Sequence, residues 1–283
     1  MGDGRHRARK AGGNRGRTLV VGALAGLGVL GAGYVFVHSG ETRTSGTSLG
    51  LASGHSGHSA HSDDAPDNSS GRSGSSGHIM TPVVHQPPQQ LPGLGPGMLA
   101  RIPADTRQAV VVTGVGKDSP DSRLVLYRRT ADGWQAQVSW AAHNARNGWT
   151  TDHHLNDLRS PVGVYTLTDA GGRMPDPGSK LPYARNRSAF AVGGTGFRGE
   201  SLAGSFNYVV AINYNRHTGV PPYDWARPEG AGKGGGIWIH VDHGGPTHAC
   251  VSIAQEHMKT LLRTLDPSLH PIIVMGDNAS LAE

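Results

Sequence analysis

From His38 to Gln90 the chain holds nothing from which a core can be made. Its Ser45–Met80 stretch, "SGTSLGLASGHSGHSAHSDDAPDNSSGRSGSSGHIM", has no aromatic side chain and few aliphatic ones. Such a segment buries too little apolar surface to offset the entropy lost on ordering. Residues 38–90 therefore read as a flexible tether, with an r.m.s. span on the order of 40 Å. Any fold is confined to residues 91–283, the length of one ordinary domain. His55, His58 and His61 are spaced for loose contact with a metal ion. Nothing around them would orient the imidazoles, and no metal site is expected there.

Before the tether, Thr18–Val37, "TLVVGALAGLGVLGAGYVFV", carries no charge. As a helix rising ~1.5 Å per residue it would measure ~30 Å, the thickness of a bilayer's hydrocarbon core. Residues 1–17 carry Arg5, Arg7, Arg9, Lys10, Arg15 and Arg17 against Asp3 alone. That asymmetry predicts a basic cytoplasmic tail, a single span and an extracytoplasmic body. A cleaved signal peptide is the alternative, although its apolar region would be expected to run roughly 7–15 residues. The tail accounts for the whole formal net charge of +5, so the body is neutral and nothing points to nucleic acid. Gly26, Gly28 and Gly31 match a dinucleotide fingerprint by spacing only, since no strand precedes them.

Regular patterning starts near Leu91. "QAVVVTGV" (108–115), "RLVLYRR" (123–129), "WQAQVSWAA" (134–142), "VGVYTLTDA" (162–170), "FNYVVAINY" (206–214), "GIWIHV" (236–241) and "PIIVMG" (271–276) read as strands. "TADG" between the second and third marks a hairpin turn. One helix is expected over Ser252–Asp266, where Met258, Leu261, Leu262 and Leu265 form an apolar stripe. Ser252 and Gln255 have capping-box spacing, which makes Ser252 the expected N-cap. The reading is one mainly β domain with a helix near its end.

Cys250 is the only cysteine. Outside the cytoplasm a lone thiol is a buried bystander, an intermolecular link or a working group. If Ser252 caps the helix, the sulfur lies near the positive end of the helix dipole, where a thiol's pKa falls. His240 ends an apolar strand ten residues earlier, and a tight return can bring the two side chains to one sheet edge. A papain-like arrangement is disfavoured, because there the cysteine precedes its histidine.

Three segments, in this order, resemble the L,D-transpeptidase family, which closes 3→3 cross-links in peptidoglycan. "RSPVGVYTL" (Arg159–Leu167) resembles its Thr-Pro-x-Gly-x-Phe/Tyr segment, "IWIH" its catalytic-histidine strand, and "THAC" followed by Val-Ser its [Ser/Thr]-His-Gly-Cys signature. The likeness spans residues 105–276. It implies a β-sandwich-like domain with a short helix after the cysteine. It implies Cys250 as nucleophile, His240 as general base and the Val241 carbonyl as the group orienting it. The backbone N–H groups at Ala249–Cys250 would form the oxyanion hole, and Thr247, His248 and Ser252 would line the substrate pocket. No metal or organic cofactor is implied. The implied partners are peptidoglycan stem peptides, with carbapenems as inhibitors, met by a membrane-anchored protein facing the wall. Hydrolysis by the same chemistry (an L,D-carboxypeptidase) and an inactive wall-binding protein are the alternatives. The sequence departs from the pattern in three ways: Ala249 replaces glycine, Ser252 stands where arginine is frequent, and the His240–Cys250 loop is short.

Other features are expected to be less central. His143, His153 and His154 read as members of a solvated loop. "GAGKGGG" (Gly230–Gly236) lacks phosphate-loop spacing and reads as a mobile flap, with Tyr223 and Trp225 near the site and Trp238 in the core. A zinc site from His240, Asp242, His243 and His248 would consume Cys250 as a ligand and is disfavoured.

Overall fold

The structure is a computed structural model that describes residues 90–283; the basic tail, the expected membrane span and the tether up to residue 89 lie outside the described residues. Among the described residues, no helix is long and apolar enough to cross a membrane.

Among the described residues, twelve strands and three α-helices follow one another. They are α1 (Pro96–Ala100), β1 (Gln108–Gly114), β2 (Asp121–Thr130), β3 (Gly133–His143), β4 (Trp149–Thr150), β5 (Ser160–Pro161), β6 (Gly163–Thr166), β7 (Ala170–Gly172), β8 (Tyr183–Arg185), β9 (Val209–Ala211), β10 (Trp238–Val241), β11 (Val251–Ile253), α2 (Gln255–Thr264), β12 (Ile272–Asp277) and α3 (Asn278–Leu281). Ten strands form one sheet in the order β6-β12-β1-β2-β3-β11-β10-β9-β7-β8, and β4 and β5 pair separately.

This order forces the sheet to curl. β6 lies at one edge and β7 next to the other, yet only Leu167, Thr168 and Asp169 connect them. Laid flat, the two would stand roughly 38 Å apart at ~4.8 Å per strand. Three residues between them reach only about 14 Å. The sheet must therefore roll until its ends meet, and Asn213 stitches the seam with its N–H to Thr166 O at 3.1 Å and its Nδ2 to Thr166 Oγ1 at 2.7 Å. The mainly β expectation holds, but the layers of the expected sandwich belong to one continuous, curled sheet.

The sequence pattern explains who sits inside. β12 and β1, parallel neighbours second and third from the β6 edge, are buried almost throughout, consistent with their unbroken apolar runs. The β2–β3 hairpin pairs Thr130 with Gly133, leaving Ala131 and Asp132 as the turn, as "TADG" predicts. α2 lays Met258, Leu261 and Leu262 into the core.

The helix starts later than its capping pattern suggests. Ser252 lies in β11, and Ala254 is the N-cap with no side-chain cap bond. The cause is tertiary: Ser252 is claimed by the sheet, where it pairs with His240 on one side and His143 on the other.

Leu261 is fully buried and Glu256 is exposed on the same helix. Leu261→Ala should cost roughly 2–5 kcal/mol in a denaturant titration, and Glu256→Gln no more than about 0.5 kcal/mol.

Candidate active site

Two short parallel strands bring the cysteine and histidine together. Ile239, His240 and Val241 of β10 lie beside Val251, Ser252 and Ile253 of β11. Ile239, Val241, Val251 and Ile253 belong to the main core, so Trp238, His240 and Ser252 face the other side of the sheet. One step back along the pair, Cys250 stands next to Trp238, whose backbone N–H donates to Sγ at 3.4 Å. Cys250 packs against a second apolar cluster of Phe190, Val209, Ala211 and Trp238. Phe206 meets the rings of both Trp238 and His240 edge-on, at 4.9 and 5.3 Å. The thiol and the imidazole thus share one face of adjoining strands, with Trp238 and Phe206 as common neighbours.

His240 is buried, and its Nδ1 lies 2.9 Å from Val241 O. A carbonyl only accepts, so Nδ1 carries the proton and Nε2 keeps the lone pair. Burial pulls the His240 pKa down to about 4. The Cys250 thiol donates to Gly236 O at 3.8 Å. Burial pushes it up to about 11, against a smaller lowering by the Trp238 N–H. The helix-dipole expectation is thereby corrected: α2 begins five residues beyond the sulfur and does not lower its pKa. No hydrogen bond joins Sγ to the His240 ring among the described residues, so the resting pair is a neutral thiol beside a neutral imidazole.

The turn carrying Cys250 is strapped from below. Thr247 is buried, and its hydroxyl donates to Cys250 O at 2.6 Å. Its backbone joins the 144–146 segment through Thr247 N to Asn144 O at 3.0 Å and Arg146 N to Thr247 O at 2.9 Å. Ser160, fully buried at the start of β5, donates to Ala249 O at 2.8 Å and accepts from Ala145 N–H at 3.1 Å. In a trans peptide the carbonyl and the next N–H point opposite ways. Holding Ala249 O inward therefore turns the Cys250 N–H outward, the direction an oxyanion donor needs. Ala249 does not adopt a positive φ, so alanine costs nothing here in place of glycine.

The remaining expected site residues separate. Ser252 is fully buried and its hydroxyl donates to Asp242 Oδ1 at 2.8 Å, so it is withdrawn from a substrate pocket. His248 is exposed and leans on Phe197 with ring centroids 4.8 Å apart, and Arg146 covers the same ring at 5.0 Å. Asp242 Oδ1 also lies 2.8 Å from His143 Nδ1. Burial opposes ionisation of Asp242, but the hydrogen bonds from His143 and Ser252 prevail and lower it to about 2. His143 is correspondingly raised by its bond to Asp242, burial working against it.

Several residues are placed otherwise than the sequence suggests, or have partners that it does not assign. His143 ends β3, and His153 is buried 3.0 Å from Asp157; of the three, His154 alone is exposed as expected. His243 stacks on His240 at 5.8 Å and holds Glu200 at 3.1 Å. Ser160 stood in a segment already singled out, but its partner is 89 residues away in sequence. Gly230–Gly236 is pinned rather than loose: Asn215 Nδ2 donates to Gly230 O and Gly234 O at 2.9 and 2.6 Å, and Tyr214 Oη to Lys233 O at 3.0 Å. Among the described residues no three His, Cys, Asp or Glu side chains are grouped to hold a metal ion.

A family model described as YkuD, L,D-transpeptidase catalytic domain, matches residues 112–274, more than half of the chain. No curated protein matches. Among solved structures, the chain is similar to Bd1075 of Bdellovibrio bacteriovorus, at 16% identity and a TM-score of 0.34, over 60% of this chain and 47% of that one. It is also similar to the helical cell shape determining protein Pgp2 of Campylobacter jejuni, at 17% identity and a TM-score of 0.35, over 62% of this chain and 49% of that one. The chain thus spans about half the length of the solved structures it matches.

With the thiol raised to about 11, thiolate is a small minority at neutral pH. Alkylation of Cys250 by iodoacetamide, followed by mass spectrometry, should accelerate ~10-fold per pH unit from pH 7 to 10. A rate that levels off below pH 8.5 would contradict the buried, uncharged thiol.

Proposed function

Because this chain belongs to the YkuD family of L,D-transpeptidase catalytic domains, we propose that it is a membrane-anchored, extracytoplasmic L,D-transpeptidase with Cys250 as nucleophile and His240 as base. The substrate is a peptidoglycan tetrapeptide stem. His240 Nε2 takes the thiol proton as Sγ attacks the carbonyl between the third and fourth stem residues. The oxyanion that forms faces the Cys250 N–H, together with that of Ala249. On collapse the C–N bond breaks, His240 returns the proton to the departing amine, and a thioester remains. An amine on a neighbouring stem then attacks the thioester, and its proton passes through His240 back to sulfur. The existing peptide bond supplies the energy, so the scheme uses no cofactor. Thr18–Val37 would anchor the chain and the tether would let the domain reach a wall held away from the bilayer.

The observation that carries this reading is the parallel β10–β11 pairing, which sets Cys250 and His240 on one face with the imidazole's Nδ1 committed to Val241 O. Neutral resting groups are compatible with general-base catalysis. The proton moves only as the C–S bond forms, and the gap between the two groups narrows when substrate displaces water and donors meet the oxyanion.

The test is incubation of the protein with disaccharide-tetrapeptide or a carbapenem, read by mass spectrometry. An acyl adduct on Cys250, absent from Cys250→Ala and slowed at least ~100-fold in His240→Gln, is the expected result. Unmodified protein and intact substrate would leave an inactive wall-binding protein. A 3→3 dimer marks transfer, whereas tripeptide alone marks hydrolysis.

Ser160→Ala removes the strap on the Ala249 carbonyl. It should lower stability by about 1–3 kcal/mol and reduce the acylation rate more than the binding of the tetrapeptide, measured by stopped flow and calorimetry.

A further inference from the structure

We propose that Arg227, stacked on Trp225, forms an anion subsite beside the thiol that takes the free C-terminal carboxylate of the peptide being cleaved. The inference rests on the reading of Cys250 given above and adds the substrate's recognition handle.

The guanidinium carbon lies 5.1 Å from the centroid of the Trp225 ring, and that ring is 73% exposed, an unusual state for so large an apolar group. The Arg227 side chain runs across Gly235 and Gly236. A Cβ at Gly235 would collide with its Nε and Cδ, and one at Gly236 would sit 3.2 Å from Nη2 and 3.5 Å from the Trp225 ring. Both glycines have positive φ, +147° and +68°. Glycine is thus needed twice over, for the backbone conformation and to let the arginine lie flat. The carbonyl of the same Gly236 accepts the Cys250 thiol proton. One residue therefore separates the guanidinium from the sulfur.

The charge is held in place but not neutralised. Nη1 donates to Ala226 O at 2.7 Å and to Asp224 O at 3.3 Å, both backbone groups. Among the described residues Nε and Nη2 have no acceptor and no carboxylate forms an ion pair with Arg227. Asp224 uses Oδ1 to cap the Ala226 N–H at 2.9 Å. Partial burial works against the charged form, as does the nearby Arg216, with Asp224 opposing them. An arriving carboxylate would meet a preformed fork with donors to spare. The segment is rigid, because Asn215 and Tyr214 pin Gly230, Lys233 and Gly234. The cation expected just after the signature is not available from Ser252, which is buried against Asp242. Arg146 is another arginine near the site, but it is exposed and spent on Phe197.

The experiment compares a stem tetrapeptide ending in a free carboxylate with the same peptide as its C-terminal amide. Calorimetry with the full chain carrying Cys250→Ala should show the acid binding roughly 10- to 100-fold tighter than the amide. Arg227→Gln should abolish that preference, Arg227→Lys keep part of it and Arg146→Gln leave it in place, with thermal unfolding confirming that each variant folds. Equal binding of acid and amide, a preference that survives Arg227→Gln, or no binding of either peptide overturns the subsite. Turnover by the protein with Cys250 intact is measured separately. Acid preference without turnover sinks the transpeptidase reading and spares the subsite, whereas equal turnover of acid and amide does the reverse.

Discussion

The parallel pairing of β10 with β11 is the constraint on which the rest of the site depends. Parallel strands need a connection that returns to the starting end, and here the return takes only nine residues, Asp242 to Cys250. A loop that short cannot hold its own shape by packing, so it is fastened by hydrogen bonds, some within it and some from outside. Thr247 and Ser160 grip the carbonyls of Ala249 and Cys250, while Asp242 gathers Ser252 and His143 at the loop's other end. The curled sheet makes these fasteners available. It brings β5, β3 and the 144–146 segment, distant in sequence, against one turn.

The same packing that fixes the geometry also sets the electrostatics. Burial drives the thiol up and the imidazole down, so both prefer to be neutral. A preformed thiolate–imidazolium pair would need a nearby anion or water to stabilise the imidazolium. Phe206 and His243 meet the His240 ring, one apolar and the other a stacked ring held by Glu200, and the Asp242 carboxylate favours the imidazolium too weakly to offset burial. Under the proposed function, reactivity belongs to the bound state, in which substrate supplies what the resting site withholds. A cysteine kept neutral is less readily oxidised than a thiolate.

Much of this was legible in the chain. The strands around 108–142, the hairpin turn, the core-facing β10 and β12 and the stripe on α2 follow from period and turn chemistry. The cysteine, its histidine and the Val241 carbonyl came from an order of motifs. What the sequence hid was tertiary. Ser252 has the local grammar of a helix cap, yet two strands claim it, and a sheet position outweighs a capping bond worth about 1 kcal/mol. The glycines at 230–236 look like slack, yet Asn215 and Tyr214 take up that slack from 15 and 19 residues away. Ser160 and Glu200 could not be assigned because their partners lie far along the chain.

The substitutions that looked like losses of function have structural compensation. Alanine at 249 would be damaging only if the turn visited the left-handed region, and it does not. Serine at 252 gives up a cation but gains a buried bond to Asp242, the residue that orders the start of the return loop. An arginine there would have to bury a guanidinium where the serine is fully enclosed, at a cost of several kcal/mol unless paired. Asp242, the acid that Ser252 bonds, is already engaged with His143. A cation on β11 would thus carry a burial cost, and in the subsite proposed above the positive charge beside the thiol comes from another element. Arg227, whose side chain lies across Gly235 and Gly236, is the residue to which that charge is assigned.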